Sequence, residues 1–306
     1  MDPTTSSPTV PRSCWACGST RNKLWKERSA ENRLSPQDLR ITDSRYGMTL
    51  RLFRCQDCTF IFADDDEVRE LYSLYEQLQD PAYEATSESR ALQMQWLIER
   101  GRAAHKTARR LLEIGSGSGL LVASARKAGL DAIGIEPSRS LVAAARRITG
   151  IELLQGSFPH PAVAGLEFDL IYLVDVIEHV SDPVSLLGAM REALAPGGLA
   201  IVVTPNISSF VARLLRRRWW HLRLAHVGYF DRNTMNRAAE RAGMQIVDEF
   251  CAQWFFSVVY LADRLAEYLP IRWLNKLVVA TPLGRLYQKV VALNLGDSDV
   301  FILRAK

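Results

Sequence analysis

The run Leu111-Leu112-Glu113-Ile114-Gly115-Ser116-Gly117-Ser118-Gly119 constrains this chain more than any other feature. Its first four residues read as a buried strand. The three alternating glycines read as a turn where backbone must come closer to a ligand than a side chain would permit. Leu120 opens a helical pattern that Gly129 stops. A second short strand follows over residues 131–135, and Glu136 stands at its carboxyl end. That is about 20 residues past the glycines, where a carboxylate can accept both hydroxyls of a ribose. A glycine motif alone says little, but strand, turn, helix, strand and acid in this order predict an α/β fold with a nucleoside-cofactor site at its strand ends.

The spacing also narrows the nucleoside. Leu120 occupies the place of the third glycine in the dinucleotide fingerprint, so a pyrophosphate would meet a side chain, and a nicotinamide oxidoreductase is disfavoured. No GK[ST] triplet follows the glycines, which removes the lysine of a nucleoside triphosphatase. Residues 113–119 closely resemble the first motif of class I S-adenosylmethionine-dependent methyltransferases. Phe168-Asp-Leu-Ile-Tyr-Leu-Val-Asp175-Val-Ile-Glu-His179-Val and Leu194-Ala-Pro-Gly-Gly198-Leu-Ala-Ile-Val-Val-Thr-Pro-Asn206 look like that family's fourth and fifth strand motifs. The likeness spans about residues 108–250.

The resemblance implies a Rossmann-like seven-stranded sheet with helices on both faces, and S-adenosylmethionine as the cofactor. Carried over residue by residue, it assigns Glu113, Gly115, Ser116, Gly117 and Gly119 to the first motif. Glu136, with Pro137 and Ser138 after it, falls at the ribose, and Asp175 and Val176 at the end of the fourth strand. Relatives commonly place an acid near adenine after strand three. Here Gln155-Gly-Ser157-Phe158 stands there, so Ser157 would bond the adenine amine and Phe158 would stack on it. Other elements expected are a helix at 140–149, strand three at 151–154, a helix capped by Asp182-Pro183, another capped by Asp231 or Asn233, and closing strands at 244–250 and 299–303.

Cysteine usage is the second strong signal. Cys14-Trp-Ala-Cys17 and Cys55-Gln-Asp-Cys58 are two CxxC knuckles, and two such turns complete a closed tetrahedral Cys₄ site for structural zinc. A zinc ribbon is therefore expected over 14–62, with strand-like residues 48–53 and 59–62 around the second knuckle. Many bacterial class I methyltransferases of glycan and natural-product pathways begin with a similar module. Residues 1–13, rich in Ser, Thr and Pro, read as a disordered tail without a signal-peptide core. Residues 63–107 read as a helical connector that resembling enzymes fold over the cofactor, with Tyr75 and Tyr83 either touching it or merely packing.

A chain of 306 residues, 48% hydrophobic, can bury one large α/β core and still carry an appendage. Its net charge of +4 gives no warrant for a nucleic-acid partner. Residues 251–262, the longest uncharged apolar stretch, fall short of the roughly 18 that a membrane span needs, so a cytoplasmic protein is expected.

The transferase domain is expected over 108–306, and two segments exceed its minimum. In 208–230, Val211, Leu214, Leu215 and Trp219 are expected to form one helical stripe, with Arg213, Arg216 and Arg217 on another side. Arginines beside aromatics suit a small anionic acceptor such as a nucleotide-sugar or a phosphorylated or lipid-linked sugar, although a solvated basic face explains them as well. The insertion at 254–295 could cap a greasy substrate, touch a membrane surface, or serve as interface or extra core. Methyl transfer to oxygen or carbon needs a base, and His226, His179 and Tyr229 are the candidates. The alternative is a catalytically silent cofactor-binding protein whose zinc module docks a partner.

Overall fold

The computed structural model describes residues 13–31, 34–40, 45–80, 86–258, 260–262 and 289–306. The first strands, β1 (Asn22–Lys26), β2 (Leu52–Cys55) and β3 (Ile61–Ala63), pair antiparallel. The second knuckle forms the turn between β2 and β3, with Thr59 at φ 70°. Strand β2 starts later than residue 48 because the Thr49 carbonyl is taken by the amides of Ser29 and Ala30. Helix α1 (Asp65–Tyr75) begins where Asp64 accepts the Asp66 amide, and its acidic first turn suits the helix dipole. Helix α2 (Ser87–Ala104) then leads into the main sheet.

That sheet is assembled from β4 (Arg110–Ile114), α3 (Leu120–Lys127), β5 (Asp131–Glu136), α4 (Arg139–Thr149), β6 (Leu154–Gln155), β7 (Phe168–Val174), α5 (Pro183–Ala193) and β8 (Leu194–Pro205). After these come α6 (Phe210–Leu215), β9 (Gly228–Tyr229), α7 (Arg232–Arg241), β10 (Met244–Cys251), β11 (Trp254–Ser257), β12 (Val290–Leu293) and β13 (Ser298–Ala305). The expected seven-stranded α/β sheet is present, in the order β10-β13-β8-β7-β4-β5-β6. Strand β13 runs antiparallel to both neighbours, and the strands from β8 to β6 are parallel. Leu111, Leu112, Leu170, Ile171 and Leu173 are buried, the near-continuous apolar reading of strands covered on both faces. From β4 the chain crosses to β5 on one side and later returns at β7 on the other. The crevice at the carboxyl ends of β4 and β7 is thus the switch point where ligands of open α/β sheets bind.

Three expectations are corrected. Strand three is only β6, Leu154–Gln155, because Ile151 and Leu153 are spent as buried lead-in residues. The helical stripe through Trp219 does not exist: α6 ends at Leu215, Arg216 takes φ 50°, and a 3₁₀ turn covers Arg216–Arg218. This break lets Trp219 reach 1% exposure while Leu214 stays 65% exposed. Residues 48–50 precede β2 as loop. The described ends of the 254–295 insertion pair as the two-stranded β11-β12 ribbon. Residues 1–12, Tyr83 and 263–288 lie outside the described residues.

The cysteine segment is joined to the segment at 208–230. Strand β3 pairs with β9, making a four-stranded sheet β1-β2-β3-β9. Phe60 packs against Phe62 and Phe230, and Trp15 against Phe62, inside a core that also holds Ile177, Tyr229 and Met235. Trp15 Nε1 donates to Asp65, and Arg241 of α7 donates to the carbonyls of Trp15 and Ala16. Among the described residues, no helix is long and apolar enough to cross a membrane.

Candidate functional site

The glycine turn is held from the neighbouring strand. The amides of Gly115 and Ser116 donate to the Ile135 carbonyl at 2.9 and 3.0 Å. Gly115 has φ 74°, and a Cβ there would lie 2.5 Å from Val176 Cγ2, so a side chain here would be strained and would have to displace Val176. Glu136 is 0% exposed. Its Oε2 accepts the Gly117 amide and its Oε1 the Ser138 amide, each at 2.8 Å. Burial nevertheless raises its pKa to about 7, since two amide bonds do not replace lost hydration.

Pro137 and Ser138 lead from Glu136 into α4, which Ser138 caps by accepting the Leu141 amide. The hydroxyls of Ser138 and Ser140 both donate to the Leu78 carbonyl, so the chain just past α1 lies across this edge of the site. Tyr75 packs against the core beside it. Below the turn, Glu113 is buried, with Oε2 lacking a hydrogen-bond partner among the described residues. Burial raises its pKa well above the carboxylate range. Gly119, at φ 73°, caps α3. Ser157 is exposed and Phe158 half-buried, just beyond β6.

At the end of β7 the chain turns sharply. Asp175 takes φ 53°, its amide donates to the Val203 carbonyl, and burial pushes its carboxyl up to about 6. Val176 touches the glycine turn, and a 3₁₀ turn then carries Ile177–His179. His179 Nδ1 lies 2.6 Å from the Ala225 carbonyl, and its ring meets that of His226 edge-on with centroids 4.8 Å apart. His221 stacks on His226 at 5.7 Å, and its Nε2 is 3.6 Å from Asp297 Oδ2. Burial lowers His179 to about 4 and His226 well below its ordinary value, which keeps both imidazoles neutral. Tyr229 is buried in β9 with its hydroxyl donating to the Arg223 carbonyl at 3.4 Å, and its ring centroid lies 6.4 Å from that of His226. Burial raises that phenol.

Three members of this cluster escape the sequence reading: Glu178, His221 and Asp297. Glu178 sits inside the quoted Val-Ile-Glu-His run, where a charge between apolar neighbours is itself a signal. Its Oε2 accepts the Thr204 hydroxyl at 2.9 Å. Asp297 arrives from beyond the insertion, and nothing local in the sequence links it to His221.

At the other end of the described chain four sulfurs converge. Cys14 and Cys58 Sγ are 3.6 Å apart, as are Cys17 and Cys55, and all four lie within 4.8 Å of one another. A tetrahedron with metal–sulfur bonds of about 2.3 Å has edges near 3.8 Å. A disulfide would need about 2.05 Å. The four thiols thus suit one metal ion.

A family model described as a methyltransferase domain matches residues 87–249. Among curated proteins, the ubiquinone biosynthesis O-methyltransferase of Cereibacter sphaeroides is 35% identical over 117 residues, covering 36% of this chain and 47% of that protein. Its counterpart in a Bradyrhizobium species is 32% identical over 123 residues, covering 39% and 45%. The chain thus spans about half the length of the curated relatives it matches. A crystal structure of an S-adenosylmethionine-dependent methyltransferase from Archaeoglobus fulgidus, 16% identical, superposes over 74% of this chain and 100% of that one with a TM-score of 0.50, which is a likeness of fold. The family match runs from the first residue of α2 into β10 and takes in more than half of the 306 residues, so the chain belongs to the methyltransferase-domain family.

Proposed function

We propose that this protein is an S-adenosylmethionine-dependent methyltransferase acting on an oxygen of a small acceptor. One observation carries the reading: two polar clusters meet at the carboxyl ends of adjacent strands. On β4 and β5 stands a glycine turn answered by Glu136, and after β7 stand Glu178 and His179, grouped with His226 from the segment before β9. Val176 joins them, because it touches Gly115 and lies two residues before Glu178. A cofactor half-site and an acceptor half-site in contact are what methyl transfer needs.

In this reading Glu136 accepts the ribose hydroxyls, and the bare backbone of residues 115–119 makes room for the rest of the cofactor. Ser157 and Phe158 take the adenine edge. When bound, S-adenosylmethionine supplies a methyl group on a positively charged sulfur. Burial keeps His179 and His226 neutral, so each has a lone pair to offer the acceptor hydroxyl. The names of the curated relatives favour oxygen over carbon as the methylated atom. Exposed Arg213, Arg216 and Arg217, beside the exposed side chains of Phe210 and Leu214, favour an acceptor with an anionic group and an apolar part, such as a phosphorylated or lipid-linked sugar.

Cys14, Cys17, Cys55 and Cys58 hold a structural zinc ion in this reading, supported by sulfur spacings of 3.6 Å and by the absence of an open position in a four-thiolate set. The test is transfer of labelled methyl from S-adenosylmethionine to a panel of hydroxylated acceptors, with cofactor affinity measured in parallel. Binding that Gly117→Val abolishes, followed by labelled ether product, is the expected result. Failure of the intact protein to bind S-adenosylmethionine overturns the reading.

A further inference from the structure

We infer that Glu178, His179 and His226 form a second metal site, for a divalent transition ion, separate from the four cysteines. One donor atom from each residue lies within 4.8 Å of the other two. Two of these residues present buried side-chain atoms with no hydrogen-bond partner among the described residues. Glu178 Oε2 is occupied by the Thr204 hydroxyl, while Oε1 is buried with no hydrogen-bond partner among the described residues. His226 Nδ1 is buried in the same condition. His179 Nδ1 must carry its proton to donate to the Ala225 carbonyl at 2.6 Å, which leaves the lone pair on Nε2. Buried polar atoms are nearly always satisfied, and several lone pairs without a donor call for a cation.

The surroundings are those of a ligand set. A histidine ligand commonly donates its other nitrogen to a carbonyl, and a carboxylate ligand is itself hydrogen-bonded. Ala225 and Thr204 do this for His179 and Glu178. The backbone also locks the two halves of the site together. The Val227 amide, next to His226, donates to the Glu178 carbonyl at 2.8 Å, and the Val227 carbonyl accepts the Ala63 amide of β3 at 2.8 Å. Glu178 and His179 are thus held against His226 without the ion. Metal bonds of about 2.1 Å require donors roughly 3–3.5 Å apart, so small side-chain rotations close the site. Two imidazoles and a carboxylate suit zinc, manganese or iron(II), and they leave coordination positions open.

Those positions suit the acceptor oxygen. This role rests on the transferase reading, whereas the metal site does not. Bound to the ion, the hydroxyl releases its proton to water; the oxygen then forms a bond to the methyl carbon as the sulfur–methyl bond breaks, and the sulfur leaves neutral. His226 acts as a ligand here and need not be the base.

Manganese(II) tests the site, because oxygen and imidazole donors take it while a thiolate set prefers softer ions. Full-length protein with its cysteine site loaded is stripped with a mild chelator and titrated with Mn²⁺, the free ion being followed by electron paramagnetic resonance. The expected result is one ion per chain, with affinity at least about tenfold weaker in Glu178→Gln and in His226→Gln at unchanged circular dichroism. Intact protein that takes up no manganese, cobalt or zinc beyond the cysteine site overturns the inference, and so do folded variants that bind as the parent does. Methylation assayed on the same samples separates the two proposals. An ion bound without any methylated acceptor leaves the metal site standing and removes the transferase reading, while full-rate methylation in ion-free protein keeps the transferase reading and removes the ion's role in it.

Discussion

Glu136 Oε2 accepts the Gly117 amide at 2.8 Å, so the carboxylate at the end of β5 and the glycine turn after β4 hold each other in place. The carboxyl group bears this role while fully buried, at a pKa raised to about 7 from an ordinary 4.5. Its folded form binds the proton more tightly than its unfolded form. The stability it contributes is therefore complete below about pH 4.5 and lost as pH rises through 7. At about 1.4 kcal/mol per unit the loss reaches about 3 kcal/mol. Urea unfolding from pH 5 to 8 should show this slope in the parent and lack it in Glu136→Gln. Ligand hydroxyls favour the ionised carboxylate, so S-adenosylmethionine should bind more tightly at pH 8 than at pH 6, with proton release seen as a buffer-dependent calorimetric heat.

Gly115→Ala should destabilise the chain by about 1–3 kcal/mol, because a non-glycine residue at φ 74° is strained and its Cβ would collide with Val176. Val176→Ala in the same chain should recover the steric part and leave the backbone part. A double-mutant cycle read by chemical denaturation measures the coupling. Full additivity would mean that Val176 does not press on the turn.

Metal removal from the four cysteines should lower the melting temperature of the whole chain, on the order of 10 °C, in one cooperative transition. The reason is the common core: Phe60 lies 4.8 Å from Phe230, and β3 pairs with β9. Calorimetry after chelation decides it, since a small metal-sensitive transition ahead of an unchanged main one would mean that the cysteine segment folds on its own.

Phe60→Ala should cost about 3–5 kcal/mol, the range for truncating a fully buried aromatic. Its ring packs on Phe62, Phe230 and the bare Cα of Gly228. The loss falls beside Gly228, two residues along the chain from His226. Turnover should therefore drop more than S-adenosylmethionine affinity, a contrast that steady-state kinetics and calorimetry on the folded variant would reveal.

The sheet and the glycine turn with its answering Glu136 were legible because their signals are local. Gly115, Gly117, Gly119 and Glu136 fall at the spacing of one strand–turn–helix–strand unit, where neighbours in sequence become neighbours in space. The cysteine pairs were legible for the same reason, each being a single tight turn. Strand three was misplaced by its apolar lead-in, since Ile151 and Leu153 are buried without belonging to a strand. The stripe at Val211, Leu214, Leu215 and Trp219 failed because a helical period cannot show that Arg216 breaks the helix.

By itself, the sequence determined the fold class, the glycine turn with its answering acid, and the four thiols, because backbone propensity and short-range spacing suffice for these. Tertiary structure alone decided that the cysteine segment closes on β9, and that Glu178, His179, His221, His226 and Asp297 come together across more than a hundred residues of chain. Such contacts depend on the packing of Phe60, Phe62 and Phe230 and on backbone pairing between distant segments, neither of which leaves a period or a spacing to read.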